Sequence, residues 1–282
     1  MAGNAYVSRT VGQNKRSGVI LSFAAWITGI LFIIPILWMV LTAFHSENDA
    51  AKNPPAFFAA LSTSGFSSFW AAHPVGPLLN SLTASVVSTL FVLALALPAA
   101  YALSIRPVKK WTDVMFFFLS TKFMPVVAGL LPLYLVAKNT GLLGSVWAMV
   151  IIYTAMNLPI SIWMLRSFLA EMPIEILEAS QVDGAGFVKQ MYKIIIPLVM
   201  PGLASAALIC FIFSWNELLL ANTLGGTTAQ TAPVFLTGFV TSQGLFLAKV
   251  CAASVAISLP VLIAGFAAQD KLVQGLSLGA VK

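Results

Sequence analysis

Charge is what this chain has least of. Asp, Glu, Lys and Arg make up 9% of its 282 residues, against about a quarter in an ordinary soluble domain. That scarcity excludes a body whose surface is mostly wetted by water. Cysteine is nearly absent too: Cys210 and Cys251 are the only two, both lie within or beside apolar runs, and packing accounts for them better than a disulfide framework. The two histidines, His45 and His73, have no metal-ligand spacing, so no metal site is expected. A glycine-rich phosphate loop of the form G-x-x-x-x-G-K-[ST] is missing, which argues against ATP hydrolysis by this chain. Internal repeats and low-complexity linkers are also lacking.

What the sequence has is apolar length, with 59% hydrophobic residues. A run of about 20 apolar residues crosses a bilayer core about 30 Å thick. Six such runs cover residues 18–44, 78–104, 114–137, 143–165, 201–222 and 244–267. Segments such as "SVVSTLFVLALALPAAYAL" show no alternation at period two, so they read as helices that satisfy their own backbone bonds, not as barrel strands. The first run follows Lys15 and Arg16 as a leader peptide would. It is far longer than the about 7–15 apolar residues of a leader, and it is read as an anchor. The expected fold is an all-α polytopic membrane protein of six transmembrane helices. Residues 1–17 form a cytoplasmic N-terminal segment, 18–267 the membrane domain and 268–282 a cytoplasmic tail.

Basic residues set the orientation. Arg9, Lys15 and Arg16 precede the first run; Arg106, Lys109 and Lys110 follow the second. Arg166, Lys189 and Lys193 follow the fourth, and Lys271 and Lys282 the sixth, whereas the alternate loops hold only Lys52, Lys138 and Lys249. Positive residues mark the cytoplasmic side, so both termini are expected there. The net charge of +6 is then a topology signal, and no nucleic acid is expected as a partner.

One cytoplasmic stretch is unlike the rest. "EASQVDGAG", residues 178–186, is polar and small, and Glu171, Glu175, Glu178 and Asp183 gather in and before it, four of the nine acids. The preceding "MPIEILEASQV" predicts a short helix with Pro173 in its first turn, Glu175 at its positive end and Asp183-Gly184 as a stop. Ile174, Ile176 and Leu177 give it an apolar side. After Gly186, Phe187, Met191 and Ile195 recur four apart in a second helix, and Pro197 is a place where another helix begins. The product is a helix–turn–helix knob between the fourth and fifth spans. An interfacial hairpin on lipid headgroups is one reading, though the anionic leaflet repels four acids. A helix that drops into a groove of a soluble partner is the other. In that reading Ala179, Ser180, Gly184 and Ala185 allow close approach, while Glu178 and Asp183 cap helix ends or pair with basic groups.

"EASQVDGAGFVKQMYKIIIPLVMP" resembles the EAA loop of permease subunits in binding-protein-dependent ATP-binding-cassette importers. Glu178, Ala179, Asp183, Gly184, Ala185, Pro197 and Pro201 match that pattern, while Ser180 stands where Ala is usual and Met191 where Phe is usual. "NSLTASVVSTL", "STKFMPVVAGLLPLY", "SWNELLLA" and the ending "VQGLSLGAVK" are similar to the carbohydrate-uptake branch, nearest the maltose-type second permease and its sugar-alcohol counterparts. The resemblance implies a bacterial inner-membrane protein whose knob is a coupling helix for a nucleotide-binding subunit, with Glu178, Ala179, Asp183, Gly184, Ala185, Phe187 and Met191 as the coupling residues. It also implies a tail contact to the ATPase pair through residues 275–282, including Gly275, Gly279 and Lys282. The implied partners are a second permease in a heterodimer, two ATPase subunits that use ATP and magnesium, a solute-binding protein, a sugar-like solute and membrane lipid. This chain itself would bind no cofactor.

Lys122 and Glu217 fall inside predicted spans, where a central charge costs roughly 2.5–3.5 kcal/mol and tends to face protein or water. Two readings are open for each. Lys122 pairs with a helix carbonyl or an acid and Glu217 caps an interface, or both line a solute pathway beside Asn157 and Asn216. Pro98, Pro125, Pro132 and Pro159 lie within spans, as membrane helices tolerate when neighbours satisfy the freed groups. Outside, Phe57, Phe58, Phe69 and Trp70 suit an aromatic belt. The loop "LGGTTAQTAPVFLTGFVTSQG" resembles the outer loop that probes the solute-binding protein in maltose-type systems. An intramembrane enzyme is disfavoured because no nucleophile and base, nor two acids, share a span. An ATP-independent secondary transporter or channel is the alternative, but such proteins usually carry internal repeats and more buried charge.

Overall fold

The computed structural model describes residues 15–54, 56–105, 108–241 and 244–280; Arg9, Arg106 and Lys282 lie outside them. Helix α1 (Lys15–Ala43) leads. Apolar on every side, it keeps its side chains from Val19 to Leu37 exposed, and only Thr42, Ala43 and the following His45 at its C-terminal end are buried. A helix apolar all round suits lipid, not water. Two short helices follow, α2 (Glu47–Ala50) and α3 (Ser64–Ala71), with Ser46 Oγ accepting from the Asp49 N–H at 3.2 Å to start α2.

The body is a bundle of three helices. Helix α4 (Val75–Ser104) is the first of them. It packs on α7 (Val146–Ala170) and on α11 (Met200–Trp215). Small and hydroxyl residues on α4, among them Ser81, Ala84, Ser85, Ser88, Ala96 and Ala100, are buried at these contacts. In lipid no hydrophobic drive separates helix from helix, so small residues that let backbones approach supply the association. Val92, Ile162, Leu165, Leu169 and Ile195 form the apolar core nearest the polar elbow.

Between α4 and α7 the expected continuous third span is broken. Helices α5 (Trp111–Phe123) and α6 (Val126–Asn139) meet at 90°. Pro125 is the cause: it disfavours helical backbone in the residue before it, and Met124 is extended at φ −67°, ψ 128°. Pro125 therefore sits at the start of a helix, not inside one, whereas Pro98, Pro132 and Pro159 are internal to α4, α6 and α7.

The fifth span departs further from expectation. The chain folds as α8 (Ile174–Val182), α9 (Phe187–Gln190), a π-turn over Met191–Ile195 and α10 (Ile196–Leu198). The segment 187–198 then meets α11 at 79°. Helix passes through Pro197; the new helix begins at Met200, with Pro201 in its first turn, where a missing N–H costs nothing. Helix α11 stops at Trp215 and not at 222, because Asn216 caps it and Glu217 starts a separate helix, α12 (Leu219–Leu224).

A last outer helix, α13 (Ala232–Thr237), leads to a two-residue antiparallel hairpin, β1 (Val240–Thr241) with β2 (Gly244–Leu245). Gly244 is thus in a strand, and the sixth span, α14 (Leu247–Ala280), opens three residues later than expected and runs unbroken into the tail. Its start is fixed from a distance: the Glu47 carboxylate accepts from Ala248 N–H at 3.1 Å and Lys249 N–H at 2.9 Å. An acid at a helix N-terminus satisfies orphan donors and complements the dipole. Phe69 is fully buried against Trp215, Phe235 and Phe239, so it is a core residue and not part of an aromatic belt. Phe57, Phe58 and Trp70 remain exposed. Cys210 and Cys251 are free thiols. Among the described residues four helices, α1, α4, α7 and α14, are long and apolar enough to cross a membrane, or up to six spans if each bent pair counts as one.

Candidate functional site

The polar stretch folds as an elbow braced from within. Pro173 occupies the N-cap position of α8 and Glu175 its first turn. The helix ends at Asp183, and Gly184 turns the chain at φ +74°. Its N–H bonds the Gln181 carbonyl at 3.0 Å, while the Ala185 N–H bonds the Ser180 carbonyl at 2.9 Å. This closes the helix with the left-handed residue that glycine provides without a steric penalty.

Only Leu177 of the three expected apolar residues turns fully inward; Ile174 and Ile176 stay exposed. Beneath the elbow lies a polar tie that composition gave no reason to expect. Gln190, buried in the second arm, donates from Nε2 to Ser180 Oγ at 2.8 Å and to the Leu177 carbonyl at 3.3 Å. Ser180 Oγ in turn donates to the Leu177 carbonyl at 2.7 Å. The Ser that replaces the usual Ala of the motif is therefore a partner of Gln190. A signal was available in hindsight: Gln190 is the one uncharged polar side chain between Phe187 and Met191. Met191 and Ile195, at the two ends of the π-turn, both face inward, as their spacing of four predicts. Phe187 is half exposed, its ring 5.5 Å from that of Tyr101 on α4. A cleft of about 410 Å³ separates the elbow from the end of α4, lined by Tyr101, Ala102, Gln181 and Phe187.

The outer surface of the elbow is open. Glu175, Glu178, Ala179, Asp183 and Gly184 are exposed, as are Val182 and Val188, at 89% and 67%. Acids, small residues and two bare valines share one projecting face, a combination suited to a proteinaceous groove.

The residues expected along a solute pathway differ in setting. Lys122 sits half-buried in the last turn of α5, its Nζ 5.6 Å from the centroid of the Phe213 ring. Asn157 has no exposed surface; its Nδ2 donates to Ser214 Oγ at 3.0 Å, and Ser214 Oγ lies 3.2 Å from Ser88 Oγ. Here it is a packing residue that joins α7 to α11, because a polar side chain in lipid finds its partner on a neighbouring helix. Asn216 is exposed at the end of α11 and donates to its own helix at Ile212 O, 2.9 Å away. Glu217 accepts from Leu220 N–H at 3.1 Å and Ala221 N–H at 2.9 Å, so it caps α12. Gly275 and Gly279 lie on the last turns of α14.

The family described as binding-protein-dependent transport system inner membrane component matches residues 7–277 of this sequence. The chain belongs to this family. It is a permease subunit of an ATP-binding-cassette importer, a multi-pass, non-catalytic membrane component whose ATP hydrolysis is the task of partner subunits. A probable ABC transporter permease of Sinorhizobium fredii is 35% identical over 253 residues, covering 89% of this permease and 91% of that protein. The diacetylchitobiose uptake system permease of Streptomyces coelicolor is 33% identical over 255 residues, covering 89% and 92%. In shape the permease is similar to a chain of a bacterial ABC transporter that imports the acidic polysaccharide alginate. That likeness has a TM-score of 0.75 and 21% identity, covers 95% of this chain and 99% of that one, and speaks to the fold alone.

Proposed function

We propose that this permease forms half of the membrane pathway for a sugar, polyol or sugar derivative, with a second, different permease forming the other half. It crosses the membrane six times, each bent pair serving as one span, with both termini in the cytoplasm. A solute-binding protein delivers the solute from outside, and α13 with the adjoining hairpin is the surface it meets. The carbohydrate class rests on relatives such as the diacetylchitobiose permease.

The elbow is the coupling element. Glu178, Ala179, Asp183, Gly184 and Ala185 enter a cleft of one of two ATPase subunits, which hold ATP and magnesium, and Phe187 and Met191 secure the second arm to the membrane body. Residues 275–282, with Gly275, Gly279 and Lys282, touch the same ATPase pair. The observation that carries this reading is the contrast between the two sides of the elbow. Its projecting face is open to a partner, while the Ser180–Gln190 tie beneath it holds both arms together. Such a braced unit transmits a partner's motion as a rigid body, and the bundle rocks with it. Lys122 and Asn216 are the pathway-facing residues in this reading, with Glu217 shaping the turn from α11 into α12.

Cross-linking from a cysteine placed at Glu178, together with uptake into vesicles, tests the proposal. The expected cross-link is to the ATPase subunit, and Asp183→Arg is expected to abolish ATP-driven uptake while the chain still inserts. Labelling of position 178 from the outer face, or full uptake and ATPase co-purification in Asp183→Arg, would overturn it.

A further inference from the structure

We infer that the crook of the broken third span is a subsite for a negatively charged group on the transported solute, with Lys122 as the residue that selects it. This rests on the sugar-pathway reading above and narrows it to acidic sugars.

The first ground is an unneutralised charge at depth. Lys122 lies eleven residues into α5, from Trp111. At about 1.5 Å per residue that is about 16 Å along the helix, near the middle of a core about 30 Å thick. A lysine there is costly, by about 2.5–3.5 kcal/mol, unless something compensates it. Among the described residues the one ion pair is Lys52–Asp49, in the outer loop. The Lys122 ammonium stands over the face of Phe213, 5.6 Å from the ring centroid. Glu217 does not serve, since both of its carboxylate oxygens accept backbone N–H groups of α12.

The second ground is the space beside the cation. The 90° bend of α5 against α6 opens a cavity of about 430 Å³, lined by Thr121, Lys122, Met124, Pro125, Ile152 and Met156 among others. That volume falls in the about 300–1,000 Å³ range of small-molecule sites. Its walls are apolar, fit for the C–H faces of a sugar ring, and Lys122 is the one charged side chain among those that line it. Pro125, Val126 and Gly129, from the first turn of α6, line the same cavity. Broken helices at mid-membrane commonly build solute sites in transporters, because freed backbone groups there face a cavity and not lipid. A compact ammonium among apolar walls, with no acidic side chain in the lining itself and Glu217 held by the N–H groups of Leu220 and Ala221, makes a site for a sugar carrying a carboxylate or a similar anion.

The test uses the whole importer, with both permeases and the ATPase subunits, in nanodiscs. The probes are glucuronate and galacturonate against glucose and galactose, at matched ionic strength, with thermal stabilisation as the readout. The acids are expected to stabilise the native complex at lower concentration than their neutral parents. Lys122→Gln should raise the half-saturating concentration of glucuronate by about tenfold and leave glucose unchanged, and Lys122→Arg should restore part of the preference. Three results would overturn the inference: equal response to acids and neutral sugars, no response to either acid, or loss of the second permease from the purified Lys122→Gln complex. The last would make Lys122 a subunit contact. ATP-driven uptake is measured in parallel in vesicles; its survival when the acid preference is absent removes this inference alone, whereas its absence in the native complex removes the pathway reading beneath it.

Discussion

Gly202 on α11 lies directly against the ring of Phe168 on α7: a Cβ at residue 202 would stand 2.5 Å from Phe168 Cδ2. This contact packs the start of α11 on the helix that leads into the elbow. Gly202→Ala is expected to lower the stability of the detergent-solubilised complex by about 1–3 kcal/mol, the usual penalty for overpacking. Phe168→Leu in the same chain should recover part of that loss. Thermal unfolding of the single and double variants measures both effects, and additive losses would show that the ring is not the obstacle.

The tie beneath the elbow gives a second expectation. Gln190→Leu removes the donor to Ser180 Oγ and the Leu177 carbonyl, leaving buried acceptors short of a partner at a cost of about 1–3 kcal/mol. Because the tie joins both arms, the expected phenotype is poor coupling: more ATP hydrolysed per solute moved, with insertion unchanged. Ser180→Ala should be milder, since Gln190 keeps the Leu177 carbonyl at 3.3 Å. The ratio of hydrolysis to uptake in proteoliposomes is the measurement.

Gly184 carries a positive φ of +74° and has open space where a Cβ would be. The expected penalty for Gly184→Ala is therefore conformational alone, about 1–2 kcal/mol. Recovery of the ATPase subunit on co-purification should fall for Gly184→Ala and fall further for the β-branched Gly184→Val.

On the opposite side of the molecule, Glu47→Ala deprives the first N–H groups of α14 of their acceptor. A loss of about 0.5–2 kcal/mol is expected, read as a lower thermal midpoint, and Glu47→Asp should fall between the two.

Asn157 separates packing from transport. As the donor that links α7 to Ser214, its replacement by Ala should cost about 0.6 kcal/mol, the mean for such bonds in membrane helices. Solute preference in the thermal assay should not move. A changed preference with unchanged stability would return Asn157 to the pathway.

The elements most legible in the sequence were those set by local composition. Apolar runs longer than about 20 residues located α1, α4 and α7 to within a few residues, and the start but not the end of α14, which runs on to Ala280. Asp183-Gly184 ended a helix where a stop was expected, since a left-handed turn needs no help from distant residues. Hydropathy could not show that the third run bends by 90° at Pro125, because the residues on both sides are equally apolar. Nor could it show that Glu217 begins its own helix, since a cap is a matter of two N–H groups meeting one carboxylate.

By itself, then, the chain order determined an apolar, multi-helix membrane protein with one polar elbow and a family to which that elbow belongs. Those properties follow from composition and from contacts within a few residues. Tertiary structure alone decided that Asn157 is enclosed, that Phe69 is core, that Glu47 starts a helix two hundred residues away, and that Lys122 faces a cavity with no acid in its lining. Each of these depends on which distant segment comes to lie within a few ångströms, and the order of residues along the chain does not state that distance.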